Sequence, residues 1–447
     1  MRERPHVRDV RPMRTSILAA LESTTLPHMW RESIAEAVDS GLSKVSPGAC
    51  VMRGMAEPRA QRQLQRFNGD RSGRLFVLSV GKAAQGMHAT LLRGLGTPPN
   101  DHRYTTLHAD RATRVTEAIL TEHPDPGLGS LELAAWARAR CIDSRAGDLL
   151  IACVSGGASS MMCGWGSVHH DELRSLVAQL RARGATIEEV NAVRSAFDPL
   201  KSGGLRRGFE PGDTMTFVLS DTPFAAPSVV GSGPTIPSRV QCVDELLARY
   251  ELVSPPAPPR FDVDSPRVST DFGGPSSGPV HVVVEVGGND TALEGIVESL
   301  LAHAPAVTRG PPIRGDAFEA GQQFARELKA SSPGFLVAGG ECTTTIGGEG
   351  RGGRTMEFAL GAAQHIHGRP DVGVVALATD ARDGNSNAAG AVTHGRTLDL
   401  LERVDHSVAV LMARSDSATG LRAINGIIES EPTDTNVADI VIGWHLP

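Results

Sequence analysis

The sequence predicts two doubly wound α/β/α domains with mostly parallel sheets, and three observations lead to this fold class. Several short apolar runs, such as 75–80 and 372–378, are nearly continuous in hydrophobicity, which is typical of strands buried on both faces. Stretches with helical periodicity lie between these runs, so that strands and helices alternate. A stretch rich in Pro, Ser and Gly at 254–279 then divides the chain into two parts.

The elements follow one another in a regular order. The predicted strands are 75–80, 148–154, 215–220, 281–286, 335–338 and 372–378. The predicted helices include 130–141, 172–183, 291–303 and 318–329. Glycines follow four of the strands, at Gly81, Gly156, Gly287 and Gly339. Glycine marks many tight turns, but the carboxyl edge of an open α/β sheet is also where ligands bind, so we expect a ligand site there.

The domain boundaries follow from composition. Residues 1–28 are predicted to be a flexible, basic leader without the apolar segment of a secretory signal. Residues 29–253 are predicted to form an N-terminal Rossmann-like domain, and 254–279 the linker. Residues 280–447 are predicted to form a C-terminal α/β domain, with a last segment able to pack back on the N-terminal domain.

Charge and composition limit the classes of partner. The chain has 447 residues, with 44 basic and 51 acidic side chains and a net charge of −7, so it has no basic footprint for nucleic acid. It has 49 glycines but only 12 Phe, 4 Trp and 2 Tyr, which disfavours base-stacking surfaces and favours small ligands bound by main-chain N–H groups.

The cysteines and the apolar runs indicate where the protein works. There are 6 cysteines and no CxxC pair, which predicts reduced thiols and a cytoplasmic location. No stretch approaches the roughly 18 apolar residues that a membrane span needs. We therefore expect neither a membrane nor a nucleic acid as partner.

Two polar motifs follow predicted strands in the first half of the chain. Lys82 lies just after the strand 75–80 and can hold a phosphate, although a solvated lysine is the simpler interpretation. Ser155, Gly156 and Gly157 follow the strand 148–154 and favour an anionic group. The spacing matches neither a Walker A loop, nor GxSxG, nor GxGxxG.

Two further motifs complete this half. Arg194 and Lys201 lie in one short interval, and their charges suit a carboxylate or a phosphate, or are simply solvated. Asp221 ends the strand 215–220 and could ligate Mg²⁺ or accept a proton.

The second half carries a glycine-rich loop flanked by acids. The loop 347–353 contains Arg351 and is followed by Arg354, and two arginines in a glycine-rich loop are similar to a clamp for phosphoryl charge. Glu341 precedes the loop, and Glu357 follows it. Asp380 follows the strand 372–378, and Asn436 lies in the last motif, 432–437.

Taken in order, these motifs resemble the glycerate 2-kinase family, whose second domain carries the MOFRL motif. The matching segments, from about residue 75 to about 440, include GKAA, VSGGASS, EVNAVR, KSGGL, VLSD, GSGPT, GGECTTTIGGEGRGGRTMEFAL, ATDARDGNSNAAGA and PTDTNV. The resemblance implies two α/β domains with the active site in the cleft between them. It also implies ATP, Mg²⁺ and phosphoryl transfer to the 2-hydroxyl group of D-glycerate, with ATP and a small hydroxy acid as partners of a monomer or homodimer.

The resemblance also assigns roles to residues. Lys82, Arg354 and Asp221 match catalytic positions, and Asp221 and Asp380 match positions able to orient Mg²⁺. The residues implied for substrate or phosphate binding are Ser155, Gly156, Gly157, Arg194, Lys201, Glu341, Glu357 and Asn436.

The chain departs from the family pattern at several of these motifs. Phe224 and Ala225 stand where the family has a Gly-Asp pair, and Thr355 replaces an amide. The remaining departures are side chains at family glycines, namely Ala381, Glu431 and Asp434. Added side chains reduce the room for a phosphate, and added carboxylates repel it.

These departures leave two alternatives to a glycerate kinase open. One is a divergent member with impaired kinase chemistry that binds, regulates or runs another reaction, although an acid such as Asp383 could replace the missing aspartate. The other is an NAD-dependent reductase, which is disfavoured because no GxGxxG with a following ribose-binding acid is present.

Overall fold

The computed structural model describes residues 13–69, 72–96, 104–110, 118–123, 125–164, 170–238, 243–253, 278–304 and 306–447. Its helices are α1 Met13–Leu21, α2 His28–Lys44, α3 Pro47–Ala56, α4 Pro58–Gly69, α5 Ala84–Leu95, α6 Leu128–Ile142, α7 Ala158–Met161, α8 His170–Ala182, α9 Ile187–Phe197, α10 Gly204–Phe209, α11 Val243–Arg249, α12 Asn289–Leu301, α13 Ala317–Ala330, α14 Arg354–Ile366, α15 Thr397–Arg403, α16 Val408–Ala413 and α17 Ser417–Ala423. Its strands are β1 Leu75–Val80, β2 Tyr104–Asp110, β3 Ala118–Leu120, β4 Leu149–Ser155, β5 Asp213–Leu219, β6 His281–Gly287, β7 Val307–Arg309, β8 Ile313–Asp316, β9 Gly334–Thr343, β10 Val372–Ala378, β11 Gly390–His394, β12 Ile427–Ile428 and β13 Asp439–His445.

The described chain forms two compact units. The parallel-sheet unit is Pro47–Val286, and the mixed-sheet unit combines the described residues up to Ser46 with Gly287–Pro447. The predicted α/β class is confirmed for both, because each consists of a sheet with helices between its strands. No helix among the described residues has the length and apolar character needed to cross a membrane.

The parallel-sheet unit follows the sequence prediction closely. Its strand order is β3-β2-β1-β4-β5-β6, and β1 pairs in parallel with both β2 and β4. Every residue of β1 and of β4 is buried, as the continuous apolar runs predict. The edge strand β6 differs, because Val283 in its middle is 39% exposed.

The mixed-sheet unit differs from the expected parallel arrangement. Its order is β12-β11-β10-β13-β9-β7, with β8 also beside β9. Only β7 and β8 run parallel to β9, whereas β13 is antiparallel to both β9 and β10. All of β10 is nevertheless buried. A continuous apolar run therefore predicts that both faces of a strand are covered, but it does not predict whether the adjacent strands are parallel or antiparallel.

Two apolar cores cover the two faces of this sheet. Val374 and Ala376 of β10 point into one core, and Val375 and Leu377 point into the other. The second core also contains side chains of α1, α2 and α12. The N-terminal helices thus belong to the mixed-sheet unit because they supply the apolar cover for one of its faces.

This packing changes the predicted N-terminal boundaries. The described part of the predicted leader 1–28 contains the helix α1, and its residue Ile17 is fully buried. The parallel-sheet unit begins at Pro47, whereas the sequence suggested a domain start at residue 29. The predicted linker 254–279 lies outside the described residues except for its last two positions.

Candidate active site

The turn after β4 joins three of the predicted residues. Ser155 ends β4, and Gly157 precedes α7 with a left-handed φ of +84°. A Cβ atom on Gly156 would lie 2.0 Å from Oδ2 of Asp221. The turn therefore presents bare main chain against a carboxylate, and an added side chain would force the turn or the carboxylate to move.

Lys82 belongs to the same arrangement. Its main-chain N–H donates to the Gly156 carbonyl oxygen at 2.8 Å, and the Ala83 N–H donates to Oγ of Ser155 at 3.1 Å. These bonds form because β1 and β4 are parallel neighbours whose carboxyl ends lie side by side. The structure thus brings Lys82, the glycine turn and Asp221 together at one edge of the parallel sheet.

Lys201 has a different environment from the one that its motif suggests. It is 2% exposed, and Nζ donates to the carbonyl oxygens of Ser159 at 2.9 Å and Met162 at 3.0 Å. Oδ2 of Asp198 lies 3.5 Å from the same atom. The ammonium group is buried against acceptors of α7 and its C-terminal end, and its assignment to substrate or phosphate binding stays a prediction.

Arg194, from the same part of the sequence, keeps an available donor. It lies on α9, which begins with a capping box between Thr186 and Glu189. Arg194 is 6% exposed, and its buried Nε has no hydrogen-bond partner among the described residues. Burial lowers the pKa of Arg194. Asn191, one turn earlier on the same helix, accepts a hydrogen bond from Oγ of Ser232 at 3.4 Å.

Arg354 is the first residue of α14 and the main cation of the corresponding region in the mixed-sheet unit. Its Nε lies 2.6 Å from Oδ2 of Asp439, and its Nη2 lies 2.8 Å from Oδ1. Oε1 of Glu341 is 3.7 Å from Nη1. Burial lowers the pKa of Arg354, but the Asp439 and Glu341 carboxylates raise it by more, so the net shift is upward and the guanidinium stays charged.

Asp383 fixes the start of α14. Its carboxylate accepts the main-chain N–H groups of Thr355 at 3.1 Å and Met356 at 2.9 Å, while burial raises its pKa. Glu357, in the same helical turn, is 4% exposed. Burial, followed by the charges of Asp316 and Asp383, raises the pKa of Glu357 to about 7. Asp439, Glu341 and Asp383 are therefore close enough to Arg354 to raise its pKa.

Asp380 and Asn436 make local contacts in their own loops. Oδ1 of Asp380 accepts the main-chain N–H of Arg382 at 3.1 Å, and Oδ1 of Asn436 accepts that of Ala438 at 3.3 Å. Within the described ranges, no group of three or more His, Cys, Asp or Glu side chains could hold a metal ion. The metal assignments of Asp221 and Asp380 remain predictions.

Three positions that depart from the family pattern keep a left-handed backbone. The φ angles are +67° at Phe224, +59° at Ala381 and +57° at Asp434. Glycine adopts this region without strain, whereas another residue there costs of order 1–2 kcal/mol. Each of these positions therefore carries a side chain on a backbone conformation that glycine adopts without strain.

Asp439 is the main residue that the sequence analysis missed. Its partner Arg354 is 85 residues away in the chain, and Asp439 opens an apolar strand, DIVIGW. The only signal was one acid at the start of a buried run. Asp383 was named only as a substitute acid, and the structure places it beside the helix that carries Arg354.

Two families match the chain. Residues 33–259 match a domain of unknown function, DUF4147, and residues 334–439 match the MOFRL family. A glycerate kinase structure from Thermotoga maritima superposes with a TM-score of 0.77 at 22% identity, covering 94% of this chain and all of the other. That likeness agrees with the fold described above.

Curated relatives span nearly the whole chain and carry two kinds of name. An Agrobacterium vitis protein, provisionally named a hydroxypyruvate reductase, is 31% identical and covers 82% of this chain and 98% of its own length. The glycerate kinase of Homo sapiens is 27% identical, covering 92% of this chain and 95% of its own length. The D-glycerate 2-kinase of Thermotoga maritima is 25% identical, covering 93% and 99%.

Proposed function

The chain belongs to the glycerate 2-kinase family with a MOFRL domain, and on that premise we propose that it transfers the terminal phosphoryl group of ATP to the 2-hydroxyl group of D-glycerate. The reaction needs a phosphate-binding turn, cations for the transferred group and an anchor for the acid. The described residues include a candidate for each.

One observation carries the proposal. The loops after β1 and β4 are hydrogen-bonded to each other, so that Lys82, the glycine turn and Asp221 lie together. A lysine beside a turn without side chains suits a phosphate, since the main chain can approach it closely. The family resemblance implies catalytic roles for Lys82 and Asp221.

The roles of these residues follow from the chemistry of phosphoryl transfer. Lys82 balances the negative charge of the phosphate oxygens, and Asp221 orients the attacking hydroxyl group or accepts its proton. Arg354 stabilises charge on the transferred group, as a preorganised cation does in a site with little water. Ser155, Gly156 and Gly157 shape the turn.

Arg194 is the proposed anchor for the carboxylate of the acid. Its Nε is a buried donor that makes no hydrogen bond within the described part of the chain. Such a donor costs free energy until it is paired, and a carboxylate can pair with a guanidinium by two hydrogen bonds. Lys201 is proposed to hold the end of α7 in place through its bonds to the Ser159 and Met162 carbonyl oxygens.

A magnesium ion fits this arrangement only with help from the nucleotide. The described residues include no cluster of three metal-binding side chains, but Mg²⁺ in kinases commonly takes one or two carboxylates together with phosphate oxygens and water. Asp221 beside the glycine turn is the carboxylate that we propose as its ligand. When bound, the ion would neutralise phosphate charge.

The test is a phosphorylation assay of the purified protein with ATP, Mg²⁺ and D-glycerate. We expect ADP release that depends on D-glycerate, with 2-phosphoglycerate as the product in a phosphorus NMR spectrum. L-Glycerate and lactate serve as comparison acids. ADP release at background level with every acid would refute the kinase proposal.

A parallel assay addresses the reductase name carried by two relatives. The protein is mixed with hydroxypyruvate and NADH or NADPH, and loss of the reduced cofactor is followed by absorbance. We expect none, because the one GxGxxG spacing in the sequence, 348–353, begins five residues after β9 ends, whereas a dinucleotide-binding turn follows its strand directly. Steady oxidation that depends on hydroxypyruvate would favour the reductase instead.

A further inference from the structure

Arg354 has two carboxylate partners that differ in burial. Asp439 is 1% exposed and contacts both Nε and Nη2, at 2.6 and 2.8 Å. The Glu341 side chain is 47% exposed and only approaches Nη1, at 3.7 Å. One edge of the guanidinium is therefore fixed by a buried pair, and the Nη1 side faces an exposed acid.

Asp439 is held more firmly than a loop residue would be. It begins β13, which lies between β9 and β10 in the middle of the mixed sheet, and it pairs with Gly340 and Ala378. Its main-chain carbonyl accepts a hydrogen bond from Nδ2 of the buried Asn289 at 2.9 Å. Because β13 is antiparallel to both neighbours, its first residue lies at the edge where β9 and β10 end.

The other end of Arg354 is also fixed. Its backbone opens α14, whose first N–H groups donate to the buried carboxylate of Asp383. A side chain whose backbone and head group are both held keeps few conformations. The guanidinium is thus preorganised before any ligand binds.

We propose that Asp439 is the positioning residue of Arg354: its carboxylate sets the plane of the guanidinium and directs Nη1 toward an oxygen of the phosphate. Glu341 then occupies the place of that oxygen when no phosphate is bound. This inference rests on the proposed kinase function. It adds a residue that acts through Arg354 without touching substrate.

The first test is Asp439→Asn, which keeps the shape and removes the charge. We expect kcat to fall about a hundredfold, the scale of a misplaced reacting group, with the KM for D-glycerate within about twofold of wild type. Asp439→Glu should regain part of the loss. The matched control is Asp371→Asn, which breaks another two-point pair, with Arg369, and should leave kcat unchanged.

The second test asks whether Asp439 acts through Arg354. Asp439→Asn should lower kcat no further in an Arg354→Ala background. Added guanidinium should raise the kcat of Arg354→Ala about tenfold, the value of one charged hydrogen bond, because the buried carboxylate can bind the free cation. The double variant should show no such rescue.

Each result has a defined meaning. Equal kcat for wild type and folded Asp439→Asn would overturn the inference while leaving the proposed kinase in place, and so would equal rescue of the single and double variants. If Asp439→Asn does not fold, the comparison of guanidinium rescue decides. If the wild type phosphorylates no acid, the proposed function fails, and the ATP affinity of the variant decides the positioning role, with unchanged affinity overturning it.

Discussion

The candidate sites of the two units consist of different kinds of chemical group. In the parallel-sheet unit, the turn after β4 consists of main chain and small residues, with the cation Lys82 beside it. In the mixed-sheet unit, the start of α14 consists of charged side chains around Arg354. The first region should therefore be sensitive to added volume, and the second to a change of charge.

The largest expected effect tests the cations themselves. Lys82→Ala and Arg354→Ala should each lower kcat at least about a hundredfold, because each removes a charge that stabilises the transition state. Lys329→Ala, which removes an exposed lysine bonded to the His365 carbonyl, is the control and should be neutral. Steady-state kinetics with ATP and D-glycerate measure both. Unchanged rates would refute the assigned roles.

The next prediction tests sensitivity to volume in the glycine turn. Gly156→Ala would place a methyl group 2.0 Å from Oδ2 of Asp221, so the turn or the carboxylate must move. We expect kcat/KM to fall between about tenfold and a hundredfold. Gly69→Ala is the control, since a Cβ there meets no atom within 4 Å. Wild-type kinetics for Gly156→Ala would contradict a phosphate site at this turn.

A smaller effect separates two buried cations of the parallel-sheet unit. Lys201→Met should lower the free energy of unfolding by about 3 kcal/mol, because Asp198 and two carbonyl groups lose a buried partner. Arg194→Lys should instead raise the KM for D-glycerate about tenfold, with little change in stability. Urea unfolding and kinetics on both variants measure the contrast, and a reversed pattern would exchange the two roles.

The mildest test is the pH dependence of stability. Burial, then the charge of His108, lowers the pKa of His88 from 6.5 to about 3. The unfolded chain therefore gains a proton first, and stability falls as pH drops from about 6.5 toward 3. Glu357 behaves in the opposite way, because its pKa is raised from 4.5 to about 7. The stability that its protonated form contributes is therefore lost as pH rises from 4.5 to about 7.

Variants of these two residues isolate their contributions. His88→Gln should reduce the fall of the unfolding free energy as pH drops from about 6.5 toward 3. Glu357→Gln should reduce the fall of the unfolding free energy as pH rises from 4.5 to about 7. His303→Gln, at an exposed histidine, is the control. Identical curves for wild type and both variants would contradict the assigned shifts.

The same contrast explains how far the sequence could be interpreted. The glycine turn is made of adjacent residues, so its motif was visible, as was the continuous burial of β1 and β4. Asp439 was not visible, because its partner is 85 residues away and only the antiparallel order of β13 brings them together. The burial of Lys201 was not visible either, since a motif does not show which side chains the fold will bury.

One feature of the fold bears on how the protein is made. The helices α1 and α2 cover the sheet whose middle strand, β13, ends the chain, and Oγ1 of Thr435 donates to the Val45 carbonyl across 390 residues. At a synthesis rate of about 5–20 residues per second, the first helices leave the ribosome roughly 20–80 s before that strand does. The helix α12 and the strands β9 and β10 are made earlier in this interval, but the sheet that α1 and α2 cover is complete only with β13, while Pro47–Val286 can fold as a unit of its own. The nascent chain should therefore depend on chaperones at its N-terminus, and a truncation before β13 should leave that end unfolded.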